Sequence, residues 1–108
     1  IASDLDKFGE RIVDEIDALG RAAEVNKPRL EHNDAWGRRT DNLIVCEEWN
    51  KLKGIAAQEG IISIGYDQSR DPVYRRVHQL MKIMLFSPSA GLSSCPMAMT
   101  DGAAKTLL

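Results

Sequence analysis

The sequence predicts an all-α domain folded as an up-and-down helical bundle. Long stretches repeat apolar residues every three or four positions, Gly and Pro separate these stretches, and no two segments show the alternation of paired strands. The 108 residues contain no internal repeat and suffice for one small domain with its own core, residues 1–108. Because the chain starts with Ile1 and stops within a helical pattern, we expect it to be part of a longer polypeptide.

The first predicted helix runs from about Ser3 to Asn26 and ends before Pro28. Charged residues occupy its outer sides. Its apolar positions, spaced by three or four, are Leu5, Phe8, Ile12, Ile16, Leu19 and Ala23.

Residues 29–45 lose this periodicity and predict a long ordered loop, with Trp36 holding it against the body of the domain. A loop of this length is typical of a functional or interface-forming segment, although a plain surface crossing explains it as well. The second helix is expected over 47–59, ending at Gly60. Residues 60–66 have strand-like propensity but no partner strand, so we expect an extended or loosely helical connector.

The third strong helix is predicted from Asp71 to Phe86. Asp71 is a helix cap, and Pro72 fits the first helical position because it needs no amide hydrogen there. Its second half is apolar nearly all round except for Lys82, which predicts burial on more than one side.

The last helix combines small residues with methionines, a composition that suits close approach by a neighbour. Two interpretations stay open: a pocket wall, or tight helix packing with methionines filling the core. Pro96 fits a first turn after a cap at Ser93 or Ser94, or else it kinks a longer helix that begins near Ser89.

No catalytic or metal-binding set is predicted. His32, His78, Cys46 and Cys95 lack the local pairing of metal ligands. We expect His78 to be a partly exposed or interface histidine and not a base, and Cys95 to be buried and inert. There is no phosphate-binding glycine motif, and the net charge of −2 argues against nucleic-acid contact by this segment. No membrane-spanning run is present, and the isolated cysteines favour a reducing, intracellular compartment.

Several segments, in this order, resemble the acyl-CoA dehydrogenase superfamily, and specifically its branch related to the alkylation-response flavoprotein AidB. They are Leu19–Pro28, Asp34–Asp41, Trp49, Phe86–Ser89 and Cys95–Ala104. The resemblance spans nearly the whole chain. It implies an N-terminal helical domain, followed in the longer protein by a β-sheet domain and a C-terminal four-helix domain.

The resemblance also implies a function. Members bind FAD and oxidise acyl-CoA, and here the last helix would line the acyl-chain cavity. The substrate-binding residues so implied are Ser93, Ser94, Met97, Met99 and Thr100. FAD would be bound mainly by regions absent from this chain, and the catalytic glutamate would lie beyond residue 108, so no catalytic residue is assigned. A homotetramer in the cytoplasm or the mitochondrion is implied in the same way.

Two alternatives accompany this hypothesis. One is an AidB-like flavoprotein with a DNA-associated protective role, whose DNA contacts would lie outside this segment. The other is a non-catalytic helical interaction module, docking through Trp36 and its loop on a subunit or on the remaining domains of the same protein.

Overall fold

The computed structural model describes residues 1–108 and confirms the mostly helical fold. The first helix is continuous and has three parts: α1 (Ala2–Arg11), a π-helical turn (Ile12–Ile16) and α2 (Asp17–Val25). Helix α3 (Glu47–Gln58), a 3₁₀ turn (Ser63–Tyr66), helix α4 (Pro72–Phe86), a 3₁₀ turn (Ser87–Ser89) and helix α5 (Ser94–Leu107) follow a strand pair. The predicted helices and the helical connector are therefore present.

The prediction of a long loop is wrong, because residues 29–44 form an antiparallel hairpin. Strand β1 (Arg29–Asn33) pairs with β2 (Arg39–Ile44), with Arg29 opposite Ile44 and Asn33 opposite Arg39. Almost every residue of both strands is exposed, so the sequence lacks the apolar alternation that reveals a half-buried strand.

The hairpin turn depends on Asp34 and not on Trp36. The Asp34 carboxylate accepts hydrogen bonds from the backbone N–H groups of Trp36 and Arg38, both at 2.9 Å, and Gly37 has a φ of 78°. The Trp36 residue is 82% exposed, so the prediction that it holds this segment against the body is wrong.

The apolar core is formed by the first helix, α3, the segment that follows α3, the last residue of α4 and the connection from α4 to α5. The Phe8 and Phe86 rings meet at a centroid distance of 6.3 Å. The buried apolar residues are Phe8, Ile16, Ala23, Leu52, Ile55, Ala56, Ile61, Phe86 and Ala90.

Helix α4 faces the opposite way from the prediction. Its buried residues are His78, Gln79, Lys82 and Phe86, whereas the apolar residues of its second half that were expected to be buried are exposed, namely Leu80, Met81, Met84 and Leu85. The reason is an ion cluster around Lys82, which is 2% exposed. Its ammonium nitrogen lies 3.0 Å from Asp4 Oδ2 and 2.9 Å from Glu59 Oε2, and 4.9 Å from the centre of the Phe8 ring.

His78 is also buried and only 3% exposed, so of the two expectations for it the partly exposed position is wrong. Its Nδ1 lies 3.2 Å from the Arg70 guanidinium, which can only donate, so Nδ1 accepts and the ring proton is on Nε2. That Nε2–H donates to Asp4 Oδ2 at 2.7 Å. Desolvation opposes ionisation of Asp4, but the hydrogen bonds from Lys82 and His78 outweigh it and lower the pKa of this carboxyl.

Gly20 marks the closest approach between the first helix and the 3₁₀ turn before α5. A Cβ atom at this position would lie 2.3 Å from the backbone oxygen of Ser89. Because a backbone oxygen cannot rotate away, we expect Gly20→Ala to lower the free energy of unfolding by about 1–3 kcal/mol. Amide hydrogen exchange of the first helix in the full-length protein measures this change.

Gly54→Ala is the matched control. Gly54 lies within α3 and a Cβ there meets nothing within 4 Å, so the substitution is expected to stabilise the helix by about 0.5–1 kcal/mol. If both substitutions changed stability in the same direction, the close-approach explanation would be wrong.

Candidate functional site: a groove beside the last helix

The chain turns sharply into α5 through two residues with left-handed backbone. Gly91 has a φ of 53° and Leu92 a φ of 68°. Ser93 occupies the N-cap position, but its hydroxyl donates to the carbonyl of Ala90 at 2.6 Å and makes no cap hydrogen bond. The helix begins at Ser94 with Pro96 in its first turn, so the alternative of a longer, kinked helix from Ser89 is wrong.

An open, mainly apolar groove of about 560 Å³ lies between α5 and the segment that runs from the end of α3 through the 3₁₀ turn at Ser63–Tyr66. The α5 side supplies Pro96, Met97, Thr100, Ala104 and Leu108, with Ser93 at its start. The opposite side is formed by Lys53, Ala56, Ala57, Gly60, Ile61, Ile62, Ser63 and Tyr66.

The structure brings three of the five predicted site residues to this groove. Ser93, Met97 and Thr100 line it, whereas Ser94 and Met99 do not. Met97 is half-buried and also packs on the core, while Met99 is 70% exposed. The Thr100 hydroxyl donates to the backbone oxygen of Pro96 at 3.0 Å, so its polar atom is satisfied within its own helix.

Sequence reasoning missed the wall opposite α5. Ile61 is fully buried and Ile62 is half-buried, and both line the groove from the connector after α3. The three isoleucines at 61, 62 and 64 are a signal of burial, but without a partner strand they do not indicate which element covers them.

Asp101 joins α5 to α4 and to the 3₁₀ turn. Its carboxylate pairs with both terminal nitrogens of Arg76 at 2.8 Å and accepts from the Gln79 amide at 3.0 Å. The Tyr66 hydroxyl lies 2.9 Å from Asp101 Oδ1 and 2.9 Å from the Asp101 backbone oxygen. The Arg76 guanidinium is the main cause that holds the pKa of Asp101 far below its usual range.

A second cleft of about 570 Å³ lies between the end of α2, the start of α3 and the Gly91–Leu92 turn, with Trp49 and Cys46 in its wall. Both cysteines are free, and Cys95 is exposed, so the prediction that it is buried is wrong. No group of three or more His, Cys, Asp or Glu side chains is arranged to hold a metal ion. None of the helices has the length and apolar character needed to cross a membrane.

The chain matches the family described as the adaptive response protein AidB N-terminal domain over residues 2–108. It is 67% identical to acyl-CoA dehydrogenase family member 11 of Caenorhabditis elegans over 99% of this chain and 17% of that relative. It is 31% identical to the putative acyl-CoA dehydrogenase AidB of Escherichia coli strain K12 over 83% of this chain and 16% of that relative.

The fold matches the crystal structure of Caenorhabditis elegans ACDH-11 in complex with C11-CoA. The TM-score is 0.96 and the identity 68%, over 98% of this chain and 18% of that chain. The chain thus spans less than a fifth of the length of these relatives.

Fold and matches together define an N-terminal helical domain of the acyl-CoA dehydrogenase type. The chain belongs to the AidB N-terminal domain family, which confirms the resemblance found in the sequence.

Proposed function

We propose that this chain is the N-terminal domain of an FAD-dependent acyl-CoA dehydrogenase and that its α5 groove forms part of the acyl-chain cavity. The observation that carries the proposal is the apolar groove of about 560 Å³ along α5, in a domain whose fold matches a protein solved with C11-CoA. An apolar wall binds an acyl tail because each methylene removed from water contributes about 0.8 kcal/mol.

The proposed roles of individual residues follow from their positions. Met97 offers a flexible apolar surface to the tail, and Ser93 and Thr100 line the same wall. Ser94 and Met99 lie outside the groove as this chain forms it, so contact with the tail would require walls supplied by the rest of the protein.

FAD supplies the hydride-accepting chemistry when bound, and this chain offers it no recognisable site. The sequence has no glycine-rich phosphate motif, and the groove walls are mainly apolar. We therefore propose that FAD is held mainly by regions outside residues 1–108, and that this domain binds the tail and excludes water from it.

The two free cysteines support an intracellular location for the whole protein, because free thiols persist in a reducing compartment.

The exposed apolar face of α4 is proposed to bind the part of the same polypeptide that follows residue 108. Positions 73–85 extend over about 18 Å of helix, enough for contact with another helix. The relatives continue far beyond the matched region, so a covering segment is available in a chain of their length. The residues of this face are Val73, Tyr74, Val77, Leu80, Met81, Met84 and Leu85.

The dehydrogenase activity is tested with the full-length protein. We expect the purified protein to show a flavin absorbance spectrum that bleaches when acyl-CoA is added without oxygen, because hydride transfer reduces the flavin. CoA without an acyl group is the control and should leave the spectrum unchanged. A bound flavin that no acyl-CoA between C4 and C16 bleaches would reject the proposed activity.

The acyl-chain wall is tested with one pair of substitutions in the full-length protein. Met97→Trp fills the groove and should shift the preferred acyl-CoA to a shorter chain, whereas Ala103→Trp, at an exposed position of α5 outside the groove, should leave the preference unchanged. Steady-state rates across acyl lengths give the preference. Overpacking costs about 1–3 kcal/mol, so melting temperatures accompany both variants. An unchanged preference in a folded Met97→Trp protein would contradict the assignment.

The covering of α4 is tested with a photoreactive amino acid at position 84 of the full-length protein. Cross-links to residues after 108 in the same chain are expected, because Met84 is 75% exposed in this domain alone. Mixing ¹⁴N- and ¹⁵N-labelled protein separates the alternatives. Cross-links of mixed isotope would show that a second copy covers the face, and reaction with water alone would show that nothing covers it.

A further inference from the structure

Helix α5 is held to the domain by few contacts beyond its first turn. None of its residues from Ser94 to Leu107 is fully buried. Every side-chain hydrogen bond that joins α5 to another element ends on one residue, Asp101. The other hydroxyl bonds of α5, from Thr100 and Thr106, stay within the helix.

Asp101 lies two turns into α5, where a helix attached only at its start would be free to pivot. At this position Asp101 accepts hydrogen bonds from two different elements. Arg76 and Gln79 belong to α4, while Tyr66 belongs to the 3₁₀ turn. The Asp101 side chain is largely shielded from water, and the bidentate pair with Arg76 restricts angle as well as distance.

The same residue contacts both sides of the groove. Asp101 fixes the α5 wall that carries Met97 and Thr100, and its bond to the Tyr66 hydroxyl holds a side chain of the opposite wall. The Arg76 guanidinium lies 6.0 Å from the centre of the Tyr66 ring and supports that side chain from outside. The separation of the two walls therefore depends on the Asp101 contacts.

We propose that Asp101 is a positioning residue that sets the width of the α5 groove and thereby the contribution of the acyl tail to binding. The inference deepens the proposed function and rests on it. Asp101 touches no part of the tail itself, because it acts through Arg76, Gln79 and Tyr66 on the position of the walls. An acyl tail gains affinity only from walls in van der Waals contact with it, and a gap of 0.5–1 Å already removes about a quarter to a half of that attraction.

The contacts of Asp101 with Arg76, Gln79 and Tyr66 do not depend on pH near neutrality. The Arg76 guanidinium keeps the pKa of Asp101 far below its usual range, so the carboxylate remains ionised when other carboxyl groups begin to take up protons. The stability contributed by this group is present above the pKa of an unfolded aspartate and is lost only when the pH falls through the folded value.

The experiment measures the tail contribution, defined as the dissociation constant of CoA divided by that of the best-fitting acyl-CoA, in the full-length protein. Asp101→Ala should lower this ratio by about tenfold, and Asp101→Asn by less, since the amide oxygen retains one acceptor. Tyr66→Phe removes only the hydroxyl and should have the smallest effect. All measurements are made below the melting temperature of each variant.

Asp14→Asn is the matched control. Asp14 is exposed in the π-helical turn and its side chain makes no hydrogen bond or ion pair, so removing its charge should change the tail contribution by less than about twofold. Affinity for CoA itself should be equal in all variants, because CoA without a tail does not enter the groove.

Two results would overturn the inference. One is a tail contribution in folded Asp101→Ala equal to that of the wild type, which would mean that other contacts position α5. The other is an equal loss of affinity for CoA and acyl-CoA, which indicates a general structural role. Failure of the proposed function is distinguishable, since wild-type protein would then bind acyl-CoA no better than CoA.

Discussion

A lysine ammonium group without access to water needs hydrogen-bond acceptors and a compensating negative charge, and Lys82 obtains both from residues of the first helix and the end of α3. Asp4 comes from α1, Glu59 follows α3, and Lys82 itself lies in α4. Arg11 reaches the other oxygen of Glu59 at 2.7 Å, so the cluster continues along the first helix. Removal of Asp4 or Glu59 would leave the buried Lys82 ammonium with a single carboxylate partner, so the relative positions of these helices depend on this cluster.

The ion cluster also explains why the apolar face of α4 is exposed. With His78, Gln79 and Lys82 turned inward, the remaining face of α4 is apolar and exposed. Helix α5 repeats the arrangement, since Asp101 makes its polar attachment while Met97 faces a groove. Such surfaces suit a domain that is completed by other parts of a longer chain, because the apolar area left uncovered here can be buried there.

The positions and limits of the helices could be predicted because they depend on neighbours in sequence. Asp71 accepts from the backbone N–H of Val73 at 2.9 Å, as its position before Pro72 indicated. The small residues and methionines of the last helix left a pocket wall and tight helix packing both open, and Met97 does both, since it lines the groove and packs on the core. The hairpin at 29–44 could not be recognised, because its strands contribute almost nothing to the core and carry no apolar alternation.

The sequence by itself determined the mostly helical fold, the helix boundaries and the family, since local spacing, capping residues and short motifs encode them. Only the tertiary structure decided which face of α4 is buried, where His78 lies, and that Asp101 connects α5 to two other elements. The physical reason is that an apolar pattern identifies a helix face but not the partner that covers it. A polar residue turns inward only when partners from distant parts of the chain, such as Asp4 and Glu59 around Lys82, meet it there.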